Sequence, residues 1–230
     1  MRMFAKAAFA APLLLAAPAW AQDVATVNTG DTAWMLTSTA LVLMMTIPGL
    51  ALFYAGMVRK KNVLATMMQS FTIAALVTVL WMVAGYSLAF GNGGDAQGFI
   101  GGLDRALFTG MGRESLAGGI PETLFAMFQM TFAIITPALV IGGYAERVRF
   151  SVVLWFSGLW LLLVYVPVAH WVWGGGWLAK LGVMDFAGGI VVHVNAGMAA
   201  LVCALVVGRR RGFPQVAMAR SRRPFRKASS

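Results

Sequence analysis

The sequence predicts an all-α membrane protein with about five transmembrane helices, and three observations lead to this fold class. Hydrophobic residues make up 60% of the 230 residues and charged residues only 11%, against about 45–50% and about 25% in soluble domains. The mean hydropathy is +0.77. Five stretches without Asp, Glu, Lys or Arg are each long enough to cross about 30 Å of hydrocarbon. The pattern excludes a soluble globular domain.

Residues 1–21 have the parts of a signal peptide. A basic start with Arg2 and Lys6 precedes an apolar stretch over 7–17, and an Ala-Trp-Ala sequence that ends at Ala21 forms the cleavage site. The apolar stretch is shorter than the roughly 20 residues that a span needs. We therefore expect cleavage and an exported mature N-terminus. An uncleaved first helix is the alternative.

The five transmembrane helices are expected inside the charge-free stretches. Two stretches, 62–94 and 150–179, are longer than a span needs. Glycine-rich sequences that follow Phe90 and Val172 should end these two helices. The predicted spans lie near 33–57, 63–90, 122–145, 150–172 and 186–208. They correspond to the first repeat of an inverted-repeat transporter fold.

The basic residues predict the orientation of these helices. Clusters of Lys and Arg follow the first, third and fifth spans, at 59–61, 147–149 and 209–211. The other two connections carry nearly balanced charges, and cytoplasmic loops are the ones enriched in Lys and Arg. We therefore expect the N-terminus outside and the C-terminus in the cytoplasm of a bacterial inner membrane. The net charge of +10 is explained by these clusters, so no nucleic-acid partner is expected.

The chain has two histidines, and both fall in predicted spans. Ionisable groups at membrane depth usually face a cavity or a partner. His193 is flanked by Gly189 and Gly197, four residues before and after it, which would leave space beside its ring on one helical face. A hydrogen-bonded histidine inside the bundle is the alternative. His170, near the end of the fourth span and next to Trp171, is expected to be structural.

Aromatic residues and one carboxylate stand out within or beside the last three spans. Phe128 and Phe132 are four residues apart, so their rings lie along one face of the third helix. Trp173 stands where glycines end the fourth helix, and Asp185 precedes the fifth helix at a capping position. The ordinary explanations are interfacial aromatics, packing and capping. The charge of Asp185 could also concentrate cations.

The patterns of soluble enzymes do not occur in the sequence. We find no paired carboxylates within a span, no Cys and His spacing for a metal, no phosphate loop and no Ser-His-Asp set. We therefore expect no catalytic residue, no metal, no cofactor and no enzymatic activity.

Four segments together resemble the ammonium transporter family, which includes the yeast methylammonium permeases and the Rhesus proteins. The resemblance extends from about Asp31 to about Ala219, and its most specific part leads from Asp185 to Asn195. The segments lie at 46–62, 142–150, 170–176 and 185–195.

The resemblance implies a fold of eleven helices with two inverted halves, a homotrimer with one pore per subunit, and an ammonium substrate. It assigns Trp173 and Phe132 to an outer ammonium site, and Phe128 with Phe132 to an aromatic gate. His193 would be the first of two pore histidines that form hydrogen bonds with the deprotonated substrate and relay its proton. Asp185 would support the outer site. A PII-type regulator at the cytoplasmic mouth is a further implied partner.

The second pore histidine of the family belongs to its second half, which does not follow in this chain. We therefore expect an incomplete transporter domain over 22–219. Residues 220–230 form an atypical basic tail, interpreted as frameshifted sequence, with a genuine lipid-binding tail as the alternative. The predicted function is ammonium transport, from NH4+ recruitment to NH3 conduction. The alternatives are an ammonium sensor, a structural fragment and half of a transporter for another solute.

Overall fold

The computed structural model describes residues 26–210. It contains five long apolar helical stretches that could cross a membrane, which confirms the predicted all-α fold with five spans. The predicted signal peptide over 1–21 and the basic tail over 220–230 lie outside the described residues. We name the stretches span 1 (Thr29–Gly56), span 2 (Lys60–Phe90), span 3 (Glu122–Tyr144), span 4 (Phe150–Lys180) and span 5 (Gly189–Val207).

Spans 1 and 2 each change helix type along their length. Span 1 consists of α-helix Thr29–Met44, π-helical turn Met45–Leu50 and α-helix Ala51–Gly56. Span 2 consists of 3-10 turn Lys60–Asn62, α-helix Val63–Leu80, π-helical turn Trp81–Gly85 and α-helix Tyr86–Phe90. The π-helical turn of span 1 contains Pro48, which has no N–H to donate and so disturbs the α-helical hydrogen bonds.

The other three spans are also segmented. Span 3 consists of α-helices Glu122–Leu139 and Ile141–Tyr144, and span 5 of π-helical turn Gly189–Val194 and α-helix Asn195–Val207. Span 4 consists of α-helix Phe150–Trp160, π-helical turn Leu161–Tyr165 and α-helices Val166–Val172 and Trp177–Lys180. Single π-helical turns are frequent at functional sites, and the one in span 5 includes His193.

The long connection between spans 2 and 3 holds the small remaining elements. It has two 3-10 turns, Gly94–Ala96 and Ala106–Phe108. It also has a two-stranded antiparallel sheet formed by Leu116–Ala117 and Ile120–Pro121. Ser87 and Glu122 fasten this connection to the helices. The hydroxyl of Ser87 donates to the carbonyl of Gly102 at 2.8 Å, and Arg105 pairs with Glu122 at 3.2 Å.

Span 3 is the centre of the bundle and contacts the other four spans. Two-thirds of its most apolar window, 67%, is buried, against 17% for spans 1 and 5. Polar groups reach its backbone from both sides. Tyr54 of span 1 donates to the carbonyl of Leu139 at 2.7 Å, and Trp81 of span 2 donates to the carbonyl of Ala126 at 3.1 Å. Spans 1 and 5 therefore keep large unburied apolar faces.

The two ends of the bundle differ in chemistry. Spans 2 and 4 end, and spans 3 and 5 begin, at what we call the aromatic end. Span 1, span 3 and span 5 end, and spans 2 and 4 begin, at what we call the basic end. The basic end carries the clusters 59–61, 147–149 and 209–210.

Candidate functional site

A cavity of about 470 Å³ opens at the aromatic end. It lies between the first half of span 3, the end of α-helix Val166–Val172 in span 4 and the segment that leads into span 5. Four of the five predicted site residues line it: Phe128, Phe132, Trp173 and Asp185. The remaining lining residues are mostly apolar and include Phe90, Phe125, Gln129 and Gly188.

Three aromatic rings form a continuous series of edge-to-face contacts in this cavity. The ring centroids of Phe128 and Phe132 are 5.0 Å apart with an interplanar angle of 85°. Those of Phe132 and Trp173 are 5.9 Å apart at 65°. The first contact follows from the four-residue spacing on one helix, whereas the second joins spans 3 and 4. Such contacts fix the orientation of the rings.

Asp185 connects the Trp173 side chain to the start of span 5. Its carboxylate accepts hydrogen bonds from the N–H groups of Gly189 at 2.7 Å, Ile190 at 2.8 Å and Val191 at 2.9 Å. Its backbone carbonyl accepts the indole N–H of Trp173 at 2.7 Å. The carboxylate therefore caps the helix, and the same residue holds the indole in place.

His193 lies beyond the cavity lining, on the exposed side of span 5. Its backbone N–H donates to the carbonyl of Gly188 at 2.9 Å, five residues earlier, as a π-helical turn requires. A Cβ added at Gly197 would meet nothing within 4 Å. In the described part of the chain, the side of span 5 that carries His193 is therefore open.

His170 is fully buried at the aromatic end. Its Nδ1 and Nε2 lie 2.8 Å from the carbonyl oxygens of Ala89 and Gln97. The Gln97 side chain in turn donates to the carbonyl of Gly174 at 3.0 Å. A Cβ at Gly174 would lie 2.0 Å from the oxygen of Ala89. These contacts hold the glycine-rich segment after Trp173 against the end of span 2.

A sequence model of the Ammonium Transporter Family matches residues 33–226. The chain belongs to the ammonium transporter family. Its resemblance to that family, inferred above from four segments, is thereby confirmed. The members of this family are channels and not enzymes, in agreement with the expectation for this chain.

Curated members of the ammonium transporter family are about half identical to this chain. The ammonium transporter of Bacillus subtilis is 53% identical over 184 residues, which cover 79% of this chain and 45% of that protein. The ammonium transporter Amt1 of Archaeoglobus fulgidus is 50% identical over 186 residues, which cover 81% of this chain and 45% of Amt1. The chain thus spans less than half the length of the curated relatives it matches.

Solved structures of the same family share the fold. The crystal structure of Candida albicans Mep2 matches with a TM-score of 0.72 and 39% sequence identity, and the match covers 80% of this chain and 40% of Mep2. The crystal structure of Saccharomyces cerevisiae Mep2 matches with a TM-score of 0.69 and 38% identity, and the match covers 82% of this chain and 42% of that protein. The five spans therefore correspond to part of an ammonium transporter fold.

The sequence reasoning missed Gln129, which lines the same cavity as the predicted residues. Its side chain is 9% exposed, and within residues 26–210 its Oε1 has no hydrogen-bond partner. A buried polar atom without a partner is unusual and calls for an explanation. A polar residue inside an apolar span, next to Phe128, was the signal that could have identified it.

A second polar cluster occupies the basic end. Glu146 accepts hydrogen bonds from the backbone N–H of Arg59 at 3.0 Å, from the Nε of Arg59 at 3.2 Å and from the Nδ2 of Asn62 at 2.6 Å. Its other oxygen accepts from Arg210 at 3.2 Å. Burial disfavours the carboxylate, but these donors outweigh it and lower the pKa of Glu146. The cluster joins the ends of spans 1, 3 and 5.

Within residues 26–210, no group of three or more His, Cys, Asp or Glu side chains is arranged to hold a metal ion. The carboxylates at the two ends already accept hydrogen bonds, Asp185 from backbone N–H groups and Glu146 from arginine and asparagine side chains.

Proposed function

We propose that this chain forms the first half of an ammonium transport pathway, in which NH4+ is recruited at the aromatic end, gives up its proton to the imidazole path that begins at His193, and continues as NH3. The observation that carries the proposal is the convergence of Phe128, Phe132, Trp173 and Asp185 on one cavity. Family membership supports the substrate. We propose Trp173, Phe132 and Asp185 as the recruitment site, Phe128 and Phe132 as the gate, and His193 as a pore residue.

The cavity has the properties that recognition of NH4+ needs. A cation near aromatic ring faces gains about 0.5–2 kcal/mol from the ring quadrupoles, which offsets part of its lost hydration. Because three backbone N–H groups already bind the Asp185 carboxylate, this residue would act mainly by holding Trp173 and through its charge. The oxygen of Gln129, which has no partner among the described residues, offers a hydrogen-bond acceptor to NH4+.

The open faces of spans 1 and 5 bear on how the pathway is completed. Most of the residues in their apolar windows are unburied, and His193 lies on one of these faces. The curated relatives are more than twice as long as the region that matches. We propose that a second half, equivalent to the rest of these relatives, covers His193 and completes the pore.

We place the basic end in the cytoplasm of a bacterial inner membrane, because cytoplasmic loops are enriched in Lys and Arg. The N-terminus would then lie outside. By resemblance to the family, the complete protein would assemble as a homotrimer and bind a PII-type regulator at its cytoplasmic face.

Recruitment can be tested with the full chain in nanodiscs, using calorimetric titration with ammonium chloride and with potassium chloride. We expect saturable binding of ammonium and not of potassium. Trp173→Leu should weaken ammonium binding about tenfold, since a desolvated cation–π contact is worth about 1–2 kcal/mol. Trp155→Leu is the matched control, because Trp155 lies on the same span but is 73% exposed. Equal binding by both variants would contradict the recruitment site.

Transport can be tested separately, by uptake of radiolabelled methylammonium in cells without their own ammonium transporters. The chain would be produced together with the second half of the Bacillus subtilis transporter, and that protein's own two halves would be the positive control. We expect uptake only when both halves are present. Failure of this pair alongside uptake by the control pair would refute a role in transport.

The exposed position of His193 favours a second candidate, ammonium binding without transport. The chain would then bind ammonium in the calorimetric titration and give no uptake with the partner half. Such a result would assign it to sensing.

A further inference from the structure

The connection between spans 2 and 3 contains a strained turn at the aromatic end. Leu107 and Phe108 are adjacent and have φ of 56° and 57°, a left-handed conformation that costs non-glycine residues free energy. Leu107 is 61% exposed, whereas Phe108 packs against the buried core. The turn therefore directs the Phe108 side chain into the protein, and the packing of that side chain offsets the backbone cost.

Hydrogen bonds and an ion pair fasten this turn to the two spans beside it. The hydroxyl of Ser87, near the end of span 2, accepts the backbone N–H of Arg105 at 2.9 Å. The Arg105 guanidinium pairs with Glu122, at the start of span 3, at 3.2 Å. Because the Glu122 side chain is only 10% exposed, this pair is partly shielded from water. The turn is therefore held in place relative to both spans.

Phe108 begins a series of ring contacts that leads to the aromatic cavity. The ring centroids of Phe108 and Tyr86 are 5.8 Å apart at an interplanar angle of 80°, and those of Tyr86 and Phe90 are 5.7 Å apart at 34°. The centroids of Phe90 and Phe125 are 5.1 Å apart at 80°, and both residues line the cavity. The series therefore joins the strained turn to the cavity wall.

Tyr86 is held from two sides within this series. It is only 3% exposed, and its hydroxyl donates to Oε1 of Glu122 at 3.2 Å. The same oxygen pairs with Nε of Arg105. Phe108 and Arg105, which both belong to the turn, therefore restrain the Tyr86 side chain, so a shift of the turn would move its ring.

Phe125 connects the series to the candidate site residues. Phe128 and Gln129 follow it by three and four residues on the same helix, so the three side chains are neighbours on one face, and all three line the cavity. A cation is attracted most strongly when it lies over the face of a ring. The orientation of the rings in the cavity wall should therefore affect how tightly ammonium binds.

We propose that Phe108 is a positioning residue for ammonium recruitment, which fixes the cavity wall through Tyr86 and Phe90. This inference rests on the proposed function and extends it to a residue outside the cavity lining. A smaller side chain at position 108 would leave a space next to Tyr86. Because protein interiors are closely packed, Tyr86 and Phe90 would relax into that space and turn the cavity wall.

The first test is calorimetric titration of the full chain in nanodiscs with ammonium chloride. Phe108→Leu should weaken ammonium binding about threefold, the effect of reorienting a ring next to a cation, whereas Phe108→Tyr keeps the ring and should bind as the wild type does. Phe99→Leu is the matched control, because Phe99 lies in the same connection but is 68% exposed. The stoichiometry reports the folded fraction, so a weaker affinity at unchanged stoichiometry cannot come from partial unfolding.

The second test follows the ring of residue 90 directly, without ammonium. With para-fluorophenylalanine incorporated at position 90, the fluorine NMR signal should shift in Phe108→Leu and stay in place in Phe99→Leu. If the wild type binds ammonium and Phe108→Leu binds it equally well, or if the fluorine signal does not respond, the inference is overturned and the recruitment site stands. Absence of ammonium binding by the wild type would instead refute recruitment, and this inference with it.

Discussion

The aromatic end and the basic end both hold a carboxylate at a junction of spans. The cavity beside the first carboxylate is mostly aromatic and apolar, whereas the cavity beside the second is lined by arginines. Asp185 binds three backbone N–H groups, and the cavity beside it is lined mostly by aromatic and apolar side chains. Glu146 binds two of the four arginines around it, so its pocket retains positive charge. Both carboxylates are engaged in hydrogen bonds within the protein, so the other side chains of each cavity account for the difference in chemistry between the two ends.

The largest expected effect is at the basic end. Glu146→Ala would leave Arg59 and Arg210 without their buried partner, and removal of one member of a buried ion pair costs about 3–5 kcal/mol. We expect a loss of about 3 kcal/mol, because Arg59 is 40% exposed and water would solvate it in part. Unfolding of the chain in mixed micelles with increasing SDS would measure the loss.

Glu114→Ala is the control for this change, since Glu114 is exposed in the connection between spans 2 and 3. If both variants lost the same stability, Glu146 would not be the residue that joins the three spans.

The same carboxylate predicts how stability depends on pH. Because the pKa of Glu146 is lower in the folded chain than its ordinary value, its stabilising contribution is complete above the unfolded pKa of about 4.3. It is lost as the pH falls from there through the folded pKa. When the pH is lowered below about 4, the wild-type chain should therefore unfold at a lower SDS fraction. The midpoint of Glu146→Gln should be less sensitive over that range.

At the aromatic end, the largest expected effect comes from backbone packing. Gly174→Ala would place a Cβ 2.0 Å from the carbonyl oxygen of Ala89 and 2.7 Å from the Nδ1 of His170. We expect a loss of about 2 kcal/mol, in the range for overpacked sites, together with weaker ammonium binding because Trp173 would shift.

Gly197→Ala is the matched control, since its added Cβ would meet nothing within 4 Å. It should be neutral or should stabilise the helix by up to about 1 kcal/mol. A neutral Gly174→Ala in the SDS titration would refute the close approach of spans 2 and 4.

The smallest expected effect on stability comes from Gln129→Leu, which should change stability and ammonium binding in opposite directions. Gln129→Leu removes a buried oxygen that has no partner among the described residues, so stability should rise by up to about 1 kcal/mol. Ammonium binding in the calorimetric titration should weaken about fivefold, since one hydrogen bond to a charged group would be lost. Met130→Leu, one residue further along the helix, is the control. Unchanged ammonium affinity in Gln129→Leu would remove this residue from the recruitment site.

The features predicted best from the sequence are those that depend on neighbouring residues. The number of spans followed from runs of apolar residues, and the Phe128–Phe132 contact followed from helical spacing. The π-helical turns were not predicted. The sequence analysis placed Gly189, four residues before His193, on the same face of an α-helix, whereas a π-helical turn pairs residues that are five apart. In the structure the backbone N–H of His193 bonds to Gly188 instead.

The sequence alone determined the membrane class, the five spans and the family, because hydropathy, charge placement and short motifs are local properties that can be read along the chain. Only the tertiary structure decided which polar groups meet. Arg59 and Glu146 are 87 residues apart and Arg210 and Glu146 are 64 apart, and no local periodicity links them. The same holds for Gln129 and Trp173, which share a cavity. Helix packing brings these side chains together, since contacts between spans depend on how the whole bundle buries its surface.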